Sequence, residues 1–448
     1  MFETSITGSL PKPAWLAETN KLWPQWAAKG DALLQAKADA TLLWIKAQED
    51  AGLDIVCDGE QSRQHFVHGF LEQVEGIDFE HKVKMGIRDN RYDAMVPQVV
   101  SDLRLKGRVH AFEAQLARAH TKKKLKFTLP GPMTIVDTVA DRFYGDKAKM
   151  AFAFAELLNQ EALALQADGV DIIQFDEPAF NVYMQEAAEW GVQALERAAQ
   201  GLTCTTAVHI CYGYGIQANT DWKSTLGDEW RQYEAIFPAL AQSRIDQVSL
   251  ECIHSHVPPH LMQLLAGKDV LVGVIDVATE VVETPEEVAD TIARALEFVP
   301  KERLFPCTNC GLAPMGRDVA WRKLKALADG LNVPVGALRG MAEAGELTSA
   351  RVVKALKGQA DAINQEFSTL PLTTGRALEN LNTQWTLFIG NLTGGAQQSS
   401  VVAQGINALA NNLETLAGVA ARAGTVLTAA LAVQGVQALR AFAVEMAA

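Results

Sequence analysis

Residues 150–177 read MAFAFAELLNQEALALQADGVDIIQFDE. From 150 to 167 the apolar side chains recur at three- and four-residue steps, the period of a helix with one buried face. The short run 172–175 is apolar enough for a buried strand, and two acids, Asp176 and Glu177, stand at its C-terminal end. A helical stretch leading into a short buried strand is the repeating unit of a parallel α/β fold.

The same alternation runs outward in both directions. Strands are expected at 3–7, 55–58, 127–129, 172–175, 205–210, 247–250, 270–274 and 304–307, with a further helical stretch at 285–298. Eight such units predict an α/β protein of the (β/α)8 TIM-barrel type, whose chemistry sits on the loops at the C-terminal ends of the strands. The stretch 61–125 is too long for one crossover helix and predicts an inserted hairpin or cap. At the expected strand ends stand Ser9, Glu60, Gly131, Asp176 with Glu177, His209 with Cys211, Glu251, Asp276 and Cys310. So many polar and ligating side chains at one mouth point to an enzyme.

His209 and Cys211 are two residues apart at a strand end, where alternation sends both side chains to the same face. Glu251 ends the next strand and Cys310 follows the last. Imidazole, thiolate and carboxylate are all zinc donors, and a catalytic zinc keeps one exchangeable position. Other readings of these residues stay open at this point. Cys307-x-x-Cys310 can be a redox pair or half of a zinc ribbon, although no second CxxC exists to complete a ribbon. His254 and His256 are rival ligands.

Composition narrows the class. The 448 residues carry a formal net charge of −13, which argues against nucleic acid as a partner because phosphate binding needs a basic face. The one basic run, Lys122-Lys123-Lys124 with Lys126 close by, reads as a solvated turn. Six cysteines are too few and too scattered for a disulfide scaffold. No secretory signal opens the chain, so a reducing cytoplasm is expected. All six cysteines and all nine histidines fall before residue 311, and residues 331–448 balance seven basic against seven acidic side chains. A domain boundary is therefore expected near 330, with a barrel at 1–330 and a mostly α-helical segment at 331–448. Within that segment 423–439 is uncharged but Ala-rich and short of the roughly 20 strongly apolar residues of a membrane span. It reads as an amphipathic or assembly helix.

The segments TSITGSLP (4–11), DGEQSR (58–63), TLPGPMTI (128–135), QFDEPAF (174–180), HICYG (209–213), LECIHSH (250–256) and PCTNCGL (306–312) occur in an order and near a spacing that is telling. Together they resemble the catalytic barrel of the cobalamin-independent methionine synthases, over roughly residues 1–326. The chain begins at that barrel, like the short, core form of the family. The resemblance implies a zinc-dependent methyltransferase that moves a methyl group to the thiolate of homocysteine, giving methionine. It implies that His209, Cys211, Glu251 and Cys310 bind Zn2+, that Glu60 and Asp176 hold the ammonium of homocysteine, and that Gly8 and Ser9 lie near its carboxylate.

The sequence departs from the family on the side of the methyl donor. A folate-stacking Trp is replaced by Thr138, an acidic folate contact by Val182, and a proton-donating His by Ala278. These changes leave two donors in view, methyltetrahydrofolate or methylcobalamin, the latter with a corrinoid or helper protein as partner. The alternatives are a corrinoid-linked methyltransferase acting on another thiol, and a non-catalytic phage-junction fusion product. VPVGALRGMAEAGELTS (333–349), KALKGQADAINQEFS (354–368) and TTGRALENLNTQWTLFIG (373–390) resemble a fragment of phage tail tape-measure proteins. No chemistry is assigned to that segment.

Overall fold

The computed structural model of the chain describes residues 2–330, apart from 20, 22–23 and 215–216. The expectations for 331–448, including the boundary, the helical tail and the 423–439 helix, lie outside the described residues.

Seven parallel strands form one curled sheet in the order β1 (Ile55–Cys57), β4 (Lys124–Pro130), β6 (Ile172–Asp176), β7 (Thr205–His209), β8 (Gln247–Glu251), β9 (Asp269–Ile275) and β10 (Leu304–Thr308). All seven were expected within a few residues. These strands are buried almost throughout, which is why they read as short apolar runs rather than alternating ones. The eighth expected strand, 3–7, is extended but forms no ladder. Thr4 O accepts the Ile55 N–H at 3.0 Å, and Ser5 N–H donates to Pro306 O at 3.2 Å. One backbone bond to each edge is too few for a ladder, yet this segment spans the gap between β1 and β10. Thr7 strengthens the second contact through Thr308, donating its N–H to the side-chain oxygen and its hydroxyl to the carbonyl, both at 3.0 Å.

Inside the curl, Ile55, Ile172, Ala207, Leu271 and Cys307 form a small apolar cluster of their own. Buried Lys126 also lies within the curl, donating to Ile6 O and, at 2.9 Å, to Gln174 Oε1. The larger core lies between sheet and helices. The opening stretch folds as expected: helix Lys147–Ala167 is capped by the Asp146 side chain accepting the Lys149 N–H, and it buries Met150, Phe154, Leu158 and Leu165. The later helix covers Pro285–Ala295, stopping short of the expected 298.

The long 61–125 connection holds the expected hairpin. β2 (Val74–Ile87) pairs antiparallel with β3 (Tyr92–Leu105), and the short β5 (Ala140–Asp141) joins β3. At the hairpin's tip Arg88, Asp89 and Asn90 all adopt left-handed backbone, with φ of 52°, 55° and 59°. Such a run costs energy for residues with side chains. It is held by docking: Arg88 pairs with Asp137, and the Asp89 N–H donates to Tyr183 Oη at 2.7 Å. Among the described residues no helix is long and apolar enough to cross a membrane.

Candidate active site

β7 delivers His209 and, two residues on, Cys211; Cys310 arrives just past β10. All three are buried, and one donor atom from each lies within 4.8 Å of the others. The sulfurs of Cys211 and Cys310 are 3.3 Å apart, and both thiols are free. His209 Nδ1 meets Ser249 Oγ of β8 at 2.8 Å, which fixes the ring, while its buried Nε2 makes no geometrically formed hydrogen bond among the described residues. An imidazole with one ring nitrogen anchored by a hydroxyl and the other left toward two thiols has the arrangement of a metal ligand. The donor set fits zinc chemistry.

The charges of the cluster are mutually tuned. The Cys310 thiol hydrogen-bonds Cys211 and, with His209 nearby, draws its pKa well below the usual thiol range in spite of burial. Cys310 is pushed well above that range by the same hydrogen bond to Cys211 and by burial. The pair thus holds one negative charge easily and resists a second, which a cation would relieve.

Glu251, the fourth expected ligand, ends the adjacent strand β8 and is buried. It is not in the three-donor cluster. Its Oε1 accepts the Tyr212 N–H at 2.7 Å and its Oε2 accepts Lys223 Nζ at 3.1 Å. Burial raises its pKa to about 7, against the pull of Lys223 and with a push from Cys211. The rival histidines lie elsewhere. His254 Nδ1 pairs with Asp276 at 3.2 Å, and His256 stacks on Trp230.

The cluster opens into a cleft lined also by Ser9, Glu60 and Asp176. Glu60 follows β1 with a left-handed φ of 57° and accepts a hydrogen bond from Thr128 Oγ1 at 2.9 Å. Asp176, at the end of β6, accepts one from Gln174 at 2.7 Å. Burial is the main reason that the Asp176 pKa rises to about 7, with Glu60 adding to the rise and His209 opposing it. Gly8 sits behind Glu60, where a β-carbon would lie 2.7 Å from Thr128 Cγ2 and 3.1 Å from Glu60 Oε1. Ser9 Oγ shares a hydrogen bond with Tyr214 Oη at 3.2 Å, and a side chain at Gly311 would collide with it, its Cβ falling 2.0 Å from Ser9 Oγ. Six of the eight expected residues therefore share one cleft, with Gly8 and Glu251 in the layer behind it.

Other strand-end residues are structural. Glu177 accepts the Met133 and Thr134 N–H groups at 3.0 and 2.8 Å. Sequence reasoning missed other residues that line the cleft: His65, Arg88, Arg91, Tyr92, Tyr214 and Trp222. Of the three departures, Val182 lines the cleft, Thr138 turns its hydroxyl back onto Ile135 O at 2.9 Å, and Ala278 is exposed.

A parallel barrel with a buried His-Cys-Cys cluster at its C-terminal mouth, beside two acids that have no salt-bridge partner among the described residues, defines an enzyme built for thiol and metal chemistry. The chain belongs to the cobalamin-independent synthase catalytic-domain family, whose model matches residues 2–330. It is similar to a methionine synthase of Saccharolobus islandicus, 32% identical over 337 residues that make up 74% of this chain and 95% of the relative. Among solved structures it is similar to a B12-independent methionine synthase from a Shewanella species in complex with selenomethionine. That likeness has 53% identity and a TM-score of 0.73, covering 77% of this chain and 99% of the other. A Listeria monocytogenes structure at 17% identity and a TM-score of 0.56, covering 74% of this chain and 97% of the other, shares the fold. Residues 320–394 match a tape measure protein family model. Membership in a cobalamin-independent family gives the methylcorrinoid donor, and with it a corrinoid or helper-protein partner, no support.

Proposed function

We propose that the chain methylates homocysteine to methionine, with methyltetrahydrofolate as donor and zinc bound by His209, Cys211, Cys310 and Glu251. One observation carries the reading: a buried three-donor cluster faces the same cleft as two carboxylates, Glu60 and Asp176, that have no salt-bridge partner among the described residues. A bound zinc would supply one thing, stabilisation of the substrate sulfur as thiolate at neutral pH, where a free thiol of pKa about 8.5 is mostly protonated.

The chain's own residues do the rest. Glu60 and Asp176 hold the ammonium by charge-assisted hydrogen bonds, and the Gly8-Ser9 turn receives the carboxylate. Ser249 keeps the His209 ring in one orientation. Glu251 serves as a ligand by sharing or leaving Lys223 and the Tyr212 N–H. In the reaction the sulfur–methyl bond forms as the methyl–nitrogen bond of the donor breaks; that nitrogen keeps the electron pair and takes up a proton from water, the equivalent of the one the thiol gave up. Holding the sulfur against the methyl carbon is where the cleft contributes most.

Metal analysis and a methyl-transfer assay test this together. The full chain is expected to hold about one zinc and to convert homocysteine with methyltetrahydrofolate. Cys310→Ser should lose both zinc and turnover, whereas Cys307→Ser should keep them, because Cys307 belongs to the apolar cluster inside the curl. Full zinc occupancy in Cys310→Ser would overturn the ligand assignment.

A further inference from the structure

One buried cation has no part in the reaction above. Lys126 on β4 is 2% exposed and Gln174 on the neighbouring β6 is 1% exposed, and neither lines the cleft. Lys126 pairs in register with Ile172, and its long side chain reaches two residues further along β6, to Gln174. Its Nζ donates to the Ile6 carbonyl and, at 2.9 Å, to Gln174 Oε1. The other end of the amide donates twice, to Thr7 O at 2.8 Å and to Asp176 Oδ1 at 2.7 Å.

Chemistry fixes the direction of this chain of bonds. Thr7 O is a carbonyl and only accepts, so the NH2 end of Gln174 must face it, and that same end reaches Asp176. The oxygen end is left toward Lys126, whose ammonium offers donors only. A flipped amide would set NH2 against the ammonium and its oxygen against two acceptors. Lys126 thus locks the one orientation in which Gln174 aims a donor at Asp176. Leaving such groups unpaired in a dry interior is costly. Burial pulls the Lys126 pKa below the usual lysine value, and Cys57, Cys307 and Asp176 oppose that pull. The two side chains also hold Ile6 O and Thr7 O, on the extended segment that leads directly into Gly8 and Ser9.

We propose that Lys126 is a positioning residue for amino-acid recognition, acting through the Gln174 amide to aim the Asp176 carboxylate at the substrate ammonium. This rests on the methyl-transfer reading above, which places an ammonium at Asp176. Without the lysine nothing holds the Gln174 oxygen away from Asp176, the amide is free to turn, and the carboxylate loses the donor that orients it. Neither side chain hydrogen-bonds His209, Cys211 or Cys310 among the described residues, so zinc content should not change with either.

The test is calorimetry on the full, zinc-loaded chain with L-methionine, with methylthiopropylamine, which lacks the carboxylate, and with methylthiobutanoate, which lacks the ammonium. Wild type, Lys126→Met, Gln174→Leu and the double variant are compared, with zinc content checked. Lys126→Met should weaken L-methionine and the amine about tenfold each, the scale of one hydrogen bond. Its effect on the butanoate should stay below about twofold. Added to Gln174→Leu, it should cost less than about a further twofold, because the path to Asp176 is already cut. The double variant replaces both partners with apolar groups and strands no buried charge, so it carries the test should a single variant fail to fold, and it should show the same ammonium-selective loss. Equal losses with all three ligands in Lys126→Met or in the double variant would reveal a merely structural role and overturn the proposal. Independent, additive losses from the two substitutions would overturn it as well. A wild type that binds none of the three would instead refute the methyl-transfer reading, and this inference would fall with it.

Discussion

Arg63→Met tests whether the acid at the barrel mouth is held by a buried ion pair. Arg63 and Asp58 are 2% and 1% exposed at their side chains, and Nη2 reaches both Asp58 oxygens at 2.9 and 2.7 Å. Nη1 donates to Thr128 O at 2.7 Å and to Thr128 Oγ1 at 3.1 Å, and that hydroxyl donates to Glu60. Asp58 Oδ1 also accepts the Glu60 N–H at 3.1 Å. Methionine fills much of the same volume over Phe127 but leaves the Asp58 carboxylate buried with the Glu60 N–H as its one remaining donor among the described residues. Removing one partner of such a pair costs about 3–5 kcal/mol, a large part of a typical stability of about 5–15 kcal/mol. With a urea m-value of roughly 3 kcal/mol/M, the unfolding midpoint should fall by about 1–1.7 M. The double variant Asp58→Asn/Arg63→Met no longer buries a lone charge and should recover at least half of the loss. A midpoint shift under about 0.3 M in the single variant, or a double variant as unstable as the sum of the singles, would show that the pair does not act as described.

Two further outcomes are expected. Asp176→Asn should raise the KM for homocysteine roughly 10- to 150-fold, through loss of one charge-assisted bond to the ammonium, with zinc content unchanged; zinc loss at an unaltered KM would reverse the roles assigned to the acids and the thiols. A chain ending at Gly330 should keep its zinc and its activity, because the last helix, Arg317–Gly330, already buries Val319, Ala320, Leu324 and Leu327 within the barrel core; loss of folding on truncation would show that residues 331–448 belong to the same unit.

The barrel was legible because its strands are buried on both faces, so each leaves a short apolar run that composition alone reveals. The hairpin was legible only as surplus length between β1 and β4. His209 and Cys211 could be paired from the sequence because strand alternation fixes their relative direction over two residues. Lys223 as the partner of Glu251 could not, since its side chain meets β8 from a separate helix, Gln217–Lys223. Arg88 and Arg91 were invisible for the same reason. A solvated hairpin tip and a docked one have the same composition, and only the contacts with Asp137, Tyr183 and Asn219 show that this one is docked.

The three departures from the family take on a different meaning once the cleft is seen whole. Thr138, Val182 and Ala278 together suggested a changed methyl donor, yet none of them touches the groups that would activate sulfur. Thr138 is buried with its hydroxyl satisfied by the backbone of its own helix, so it offers no surface on which a ring could stack. The aromatic and cationic surface of this cleft comes instead from Phe66, Arg91, Tyr92 and Trp222, on the first connection and the loop after β7. The cluster and the two acids sit at strand ends, whereas this aromatic and cationic surface is carried by the connections between strands. Strand ends are fixed by the barrel, whereas loops tolerate exchange. Donor recognition can change in such a fold without disturbing the half of the site that would bind homocysteine.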